Sequence, residues 1–289
     1  MKSSLINPPI PPMKKSLILL AALSLAPLAT SRAAEPFDGE KIEYPPFALH
    51  SVLVEKGWVM VLCPEKPLPG KPWVLAPTFY DVRVNPVTNM TRTELELVRR
   101  GFHVVCASPG VLLGAPDPTK RWDVVYEEMT SKYGLSKRCA LMGLSREGLP
   151  AARWAAANPG KVSCLYLDKA VCDFKSWPGG KLGVGKGSPQ DWETLLKVYN
   201  FKNEAEALAF KENPVDLAPK LVADKVAIVY VAGEKDDVVP YVENGARMKE
   251  QYEKLGGTFQ LIMREGEGHH PHGLKDPAPV VDFIQRYAQ

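Results

Sequence analysis

One hexapeptide constrains this 289-residue chain more than any other feature. Gly143-Leu144-Ser145-Arg146-Glu147-Gly148 lies where an apolar run, 138–143, meets a helical pattern, 147–157, with no linker between them. A strand that runs straight into a helix must turn sharply. A serine at that turn is held in a strained conformation, with its hydroxyl above the C-terminal edge of a sheet. The first turn of the helix adds free backbone N–H groups and a positive dipole end, and both suit a developing oxyanion.

The rest of the chain agrees with such a sheet. Apolar runs predict strands at 47–54, 58–63, 73–76, 102–107, 138–143, 162–167, 226–232 and 258–264. Helical patterns fall at 91–101, 120–133, 147–157, 242–255 and 279–287. This alternation predicts an α/β fold, a mostly parallel sheet covered by helices on both faces. Residues 173–219 read as an irregular cap insertion with two helical pieces, near 191–199 and 204–211. No internal repeat or long low-complexity linker occurs.

A serine hydroxyl is a weak nucleophile without a base, and the base needs an acid to orient it. Two downstream blocks supply them. Gly233-Glu234-Lys235-Asp236-Asp237-Val238-Val239-Pro240 follows the run 226–232. Gly266-Glu267-Gly268-His269-His270-Pro271-His272 follows 258–264. Each stands at the C-terminal end of its strand, where open α/β sheets place their sites.

Together these blocks resemble the α/β-hydrolase superfamily, in its order Ser, Asp, His, over nearly all of residues 34–289. The resemblance implies Ser145 as nucleophile, Asp236 as acid and His269 as base. Asp237 is the rival acid, and Asp236 could instead cap the helix beginning near 240. Trp73-Val74, the stretch from Cys172 to Gly180 and His269-His270-Pro271-His272 further resemble secreted bacterial hydrolases found with polysaccharide breakdown, described as α/β hydrolases or acetylesterases. The superfamily's usual elbow has glycine at the second residue after the serine. Here Glu147 stands there and glycine follows at Gly148, a pattern similar to the elbow of glucuronoyl esterases. By that similarity Arg146 belongs to the oxyanion site. The other donor is expected from the loop after 73–76, where Pro77 has no N–H; that leaves Thr78, Phe79 or Tyr80, with Phe79 taken as the candidate.

Other features have plainer readings. Glu147 either points to solvent or pairs with Arg146 or a lysine, or it marks a chain that has drifted from catalysis. Tyr80, Trp177, Trp192 and His270 are candidates for substrate contact. The three histidines 269, 270 and 272 suggest zinc, but His50 and His103 sit in or beside apolar strands and no carboxylate spacing completes a site, so no metal and no cofactor is expected. Residues 180–186 nearly spell a phosphate loop; the next residue is Gly187, not Ser or Thr, and no strand precedes it, so a flexible basic cap loop is expected.

The formal net charge is +3. Lys2, Lys14, Lys15 and Arg32 all precede the first acidic residue, Glu35, so loss of residues 1–33 takes +3 to −1. The segment has the form of a secretory signal, with Met13 a second candidate start, Lys14-Lys15 as its basic region, an apolar stretch 16–28 and Ser31-Arg32-Ala33 before a cut. An N-terminal membrane anchor is the alternative, disfavoured by the short run and Pro27. A near-neutral mature chain gives no electrostatic reason to bind nucleic acid or an anionic membrane. The expectation is a secreted or periplasmic bacterial protein: a 33-residue signal followed by one hydrolase domain. The five cysteines include Cys164 and Cys172, close enough in sequence to bridge; the odd number and the apolar settings of Cys63, Cys106 and Cys139 suit free thiols.

The expected activity is hydrolysis of carboxylic esters, O-acetyl esters of carbohydrates first, through an acyl-enzyme on Ser145. A uronate methyl or glucuronoyl esterase, and a catalytically dead glycan-binding protein, are the alternatives.

Overall fold

The computed structural model describes residues 37–44, 46–55, 57–77, 90–108 and 112–288. The signal-like segment, Phe79 and Tyr80 lie outside them. The described residues belong to one compact unit, Pro36–Gln289.

Nine strands form one sheet: β1 Glu40–Tyr44, β2 Phe47–Val54, β3 Gly57–Cys63, β4 Trp73–Pro77, β5 His103–Ala107, β6 Cys139–Leu144, β7 Val162–Asp168, β8 Ala227–Gly233 and β9 Phe259–Arg264. Their order is β1-β2-β3-β5-β4-β6-β7-β8-β9. β1, β2, β3 and β5 pair antiparallel, and every pair from β5 to β9 is parallel. The parallel strands are apolar on both sides of the pleat, because helices cover both faces. In β8, Ile228, Tyr230 and Ala232 face one helical layer while Ala227, Val229 and Val231 face the other.

Helices α1 Arg92–Arg99 and α8 Ala278–Tyr287 cover one face. The other carries α2 Pro116–Glu127, α3 Gly148–Ala157, α6 Pro214–Ala223 and α7 Gly245–Lys254. Thr91 starts α1 with a capping box, its hydroxyl accepting from the Thr93 N–H while Glu94 reaches back to the Thr91 N–H. Two shorter helices, α4 Pro189–Val198 and α5 Glu204–Ala209, lie in the cap. There Phe174, Trp192, Leu195 and Ala207 make a separate small core with Leu113, Leu149, Val171 and Val239.

Three elements depart from expectation. β1 was not foreseen. α2 begins at Pro116, ahead of residue 120, because proline is tolerated in the first turn of a helix, where its missing N–H has no partner to lose. α6 occupies part of what reads as irregular cap. Asn213 caps it, Pro214 opens it, and Val215, Ala218 and Leu221 bury into the main core. All five cysteines are buried and free, Cys164 and Cys172 among them. Among the described residues no helix is long and apolar enough to cross a membrane.

Candidate active site

Ser145 follows the last residue of β6 and opens a single 3-10 turn that leads into α3. Its φ of +52° is the left-handed conformation that a non-glycine residue adopts only when its surroundings impose it. The imposition is visible: the Ser145 carbonyl accepts from the Val171 N–H at 2.9 Å. A side chain on Gly143 would meet Gly148 Cα at 3.0 Å and Leu167 at 3.0 Å. One on Gly148 would meet Val171 O at 2.7 Å and Ala170 Cβ at 2.8 Å. The close helix–strand approach is therefore met by Gly148, one residue later than usual, and this leaves room for Glu147.

Glu147 does not point to solvent; it is 4% exposed. Burial pushes its carboxyl up to about 7, against the opposing pull of the Arg146 guanidinium. Arg146 Nε lies 4.0 Å from Glu147 Oε1.

The three predicted residues converge. Ser145 Oγ lies 2.8 Å from His269 Nε2, and His269 Nδ1 lies 2.8 Å from Asp236 Oδ2. Asp236 follows β8. Its other carboxylate oxygen accepts from the Val238 and Val239 N–H groups at 3.0 and 2.8 Å. Helix capping and orientation of the base were rival roles for Asp236; one oxygen serves the local turn and the other serves His269. Asp237 is directed elsewhere: it is exposed, and Lys186 at 2.9 Å holds its carboxyl below the ordinary range. Asp236 and His269 are each 7% exposed while Ser145 is partly exposed, so the pair is more shielded than the serine.

The loop after β9 is held from below. Asp168, the fully buried last residue of β7, accepts from the Gly273 N–H at 2.7 Å and the Tyr166 hydroxyl at 2.8 Å. It faces His272 Nδ1 at 3.4 Å. Burial alone would raise its carboxyl, but these donors, His272 foremost, hold it below the ordinary value. The next residue, Lys169, is 1% exposed with φ +48°. Its ammonium donates to Pro271 O at 2.8 Å, and desolvation lowers its pKa. Arg264 adds bonds to Pro271 O at 2.9 Å and Gly273 O at 3.0 Å and pairs with Glu267.

These clamps bring the rings of His269, His270 and His272 together at the mouth of the site. Neither His50, in β2, nor His103, in β5, joins them. The three loop histidines cluster without His50, His103 or a carboxylate ligand. The His270 imidazole is held below its ordinary value, first by desolvation and then by its neighbours His272 and His269.

Between β8 and α7, buried Glu243 accepts from three groups of the cap, Ser176 Oγ at 2.6 Å, Val184 N at 2.7 Å and Gly185 N at 3.2 Å. That anchors the basic loop 180–187. Lys181 pairs with Glu204 at 3.1 Å and Lys186 with Asp237, so both lysines have local carboxylate partners. Trp192 is buried and donates to Glu204 at 2.9 Å, and Trp177 packs partly exposed against the cap core. Sequence reasoning missed Asp168, Lys169 and Arg264. The available signal was an Asp-Lys pair directly after the apolar run Cys164–Leu167.

No protein-family model and no curated protein matches the chain. Solved structures do. Porphyromonas gingivalis dipeptidyl peptidase 4 has a TM-score of 0.61 at 14% identity, covering 85% of this chain and 36% of that one. A puromycin-hydrolyzing peptidase of Mycobacterium tuberculosis has a TM-score of 0.58 at 13% identity, covering 83% and 38%. The chain thus spans a little over a third of these proteins' length. At such identity the likeness concerns the fold: the chain has the α/β-hydrolase fold, as its elbow predicted.

Proposed function

We propose that this protein is a serine hydrolase cleaving carboxylic esters, O-acetyl esters of carbohydrates being the first class to test. The observation that carries the reading is the continuous chain of contacts from Ser145 Oγ through His269 to Asp236, with two 2.8 Å contacts. With its Nδ1–H directed at Asp236, His269 presents the Nε2 lone pair to the Ser145 hydroxyl. Ser145 Oγ attacks the ester carbonyl as His269 takes its proton. The imidazolium, stabilised by Asp236, returns that proton to the leaving alcohol. Water then attacks the acyl-enzyme by the same route, and the acid is released.

The tetrahedral oxyanion needs donors already in place. The Arg146 N–H, first in the turn after the nucleophile, is one. Phe79 is proposed as the other. Trp177, Tyr80 and His270 are proposed to contact the substrate. The sugar-ester assignment is supported by the sequence resemblance, and secretion by the form of residues 1–33.

A peptidase is the second reading, favoured by the likeness to the two peptidases above, since the same triad cleaves amides. A third keeps the ester but makes it a uronate methyl or glucuronoyl ester, favoured by Arg146 beside the nucleophile. Purified protein incubated with acetylated glycans, methyl-esterified uronates and dipeptidyl amides separates the three. Release of acetate supports the proposal. Methanol without acetate selects the uronate, and amide cleavage alone selects the peptidase.

A further inference from the structure

The three histidines after β9 have the geometry of a metal site that shares the catalytic base. Their ring centres lie 4.9, 5.0 and 5.0 Å apart, and their planes cross at 76°, 87° and 80°. One ligand atom from each lies within 4.8 Å of the others. With zinc–nitrogen bonds of about 2.1 Å and ring centres about 1.1 Å beyond the nitrogens, three imidazoles on one tetrahedral ion have centres about 5 Å apart. The ring spacing is therefore that of a tri-histidine zinc set, and binding would draw the nitrogens from within 4.8 Å to the about 3.4 Å of a tetrahedral ion.

A second observation is independent of the ring spacing. Metal-binding histidines almost always give their other nitrogen to a carboxylate or carbonyl, which fixes the tautomer and turns the free nitrogen toward the ion. Two of these three do so. His269 Nδ1 faces Asp236 at 2.8 Å, and His272 Nδ1 faces Asp168 at 3.4 Å. Both carboxylates are buried. Each ring thereby keeps Nε2 for another partner.

We propose that His269, His270 and His272 bind Zn²⁺, and that the bound ion switches off the hydrolase. The His269 Nε2 lone pair that would accept the Ser145 proton is the one that the metal takes. No bond other than coordination forms. Ser145 Oγ keeps its proton, and water fills the fourth position on the ion. The binding half stands without any assignment of substrate; the inhibition half rests on the serine-hydrolase reading.

The full chain carrying Ser145→Ala, titrated with Zn²⁺ alone by calorimetry, is expected to bind one ion per chain. Co²⁺ in the same protein should give the intense visible bands of a four-coordinate site. His270→Ala removes an exposed side chain and so spares the fold; it and His272→Ala should each weaken Zn²⁺ binding by at least about tenfold. With Ser145 restored, saturating Zn²⁺ should lower para-nitrophenyl acetate turnover by at least about tenfold, reversibly with EDTA. In His270→Ala the half-inhibiting Zn²⁺ concentration, measured against that variant's own metal-free rate, should rise by a similar factor. Absence of saturable binding, binding unchanged in both histidine variants, or full turnover at saturating Zn²⁺ would each overturn the proposal. Absence of turnover before metal is added would instead count against the hydrolase reading, and calorimetry would still decide the metal site.

Discussion

Two histidine–carboxylate pairs hang from one loop, and they do different things. His269 meets Asp236 at 2.8 Å and turns its far nitrogen to Ser145; His272 meets Asp168 at 3.4 Å, and among the described residues no serine or thiol bonds its far nitrogen. Asp236 spends its second oxygen on two N–H groups of its own turn. Asp168 spends its own on the Gly273 N–H and on Tyr166, tying the loop to β7. The same residue pair thus lies in line with a serine hydroxyl in one place, where we propose that it relays a proton, and ties down a loop in the other. What separates them is the position of the imidazole relative to the strained serine.

The largest effect that would break this contrast comes from the serine. Ser145→Ala is expected to cut kcat by about 10³- to 10⁶-fold with the thermal midpoint nearly unchanged. Next come the two acids, substituted in parallel. Asp236→Asn should lower kcat by about 10³- to 10⁴-fold with modest loss of stability, since the amide still accepts from its turn but no longer orients the base. Asp168→Asn should do the reverse. It removes a negative charge near buried Lys169, which keeps Glu267 at 4.0 Å, and weakens the grip on Gly273, at a cost of about 2–4 kcal/mol in urea unfolding, with kcat down by less than about 100-fold. Equal kinetic losses with no difference in stability would erase the distinction between relay and anchor.

The anchor was the less legible of the two. Ser145, Asp236 and His269 could be read because each sits in a short local pattern at the end of an apolar run, and the strand–helix alternation told which end of the sheet those patterns share. Asp168 and His272 are 104 residues apart. Nothing local to either says that they meet; only the parallel order β6-β7-β8-β9 brings β7's last residue under the loop that follows β9. α6 was missed for another reason. Pro214 and Pro219 look like breakers, yet the first sits at the helix start, and the tertiary burial of Val215, Ala218 and Leu221 outweighs the cost of the second. From the sequence, Glu147 points to solvent, pairs with Arg146 or a lysine, or marks drift; the first is wrong, since the side chain is buried. Its burial follows from the shift of the close-packing glycine to Gly148, which no local propensity encodes.

Glu147 sharpens the comparison from the other side of the serine, with a smaller effect. It is a carboxyl that burial pushes up to about 7, above the ordinary glutamate value. The folded state therefore holds this proton more tightly than the unfolded one. Stability from this group is complete below the unfolded value and is lost as pH rises through the folded one, by up to about 3 kcal/mol. Glu147→Gln should flatten that decline: near-equal unfolding free energies for variant and parent at about pH 4, and a more stable variant at about pH 8. A parent protein whose advantage over the variant grows between those values would mean that Glu147 is held ionised by a partner.

The central claim is that Ser145 is a nucleophile activated by His269. The direct measurement is labelling with a fluorophosphonate probe, with the adduct located by mass spectrometry. One adduct per chain on Ser145, lost when His269 is replaced by alanine, is the predicted result. No adduct, or an adduct on another residue, would contradict the account.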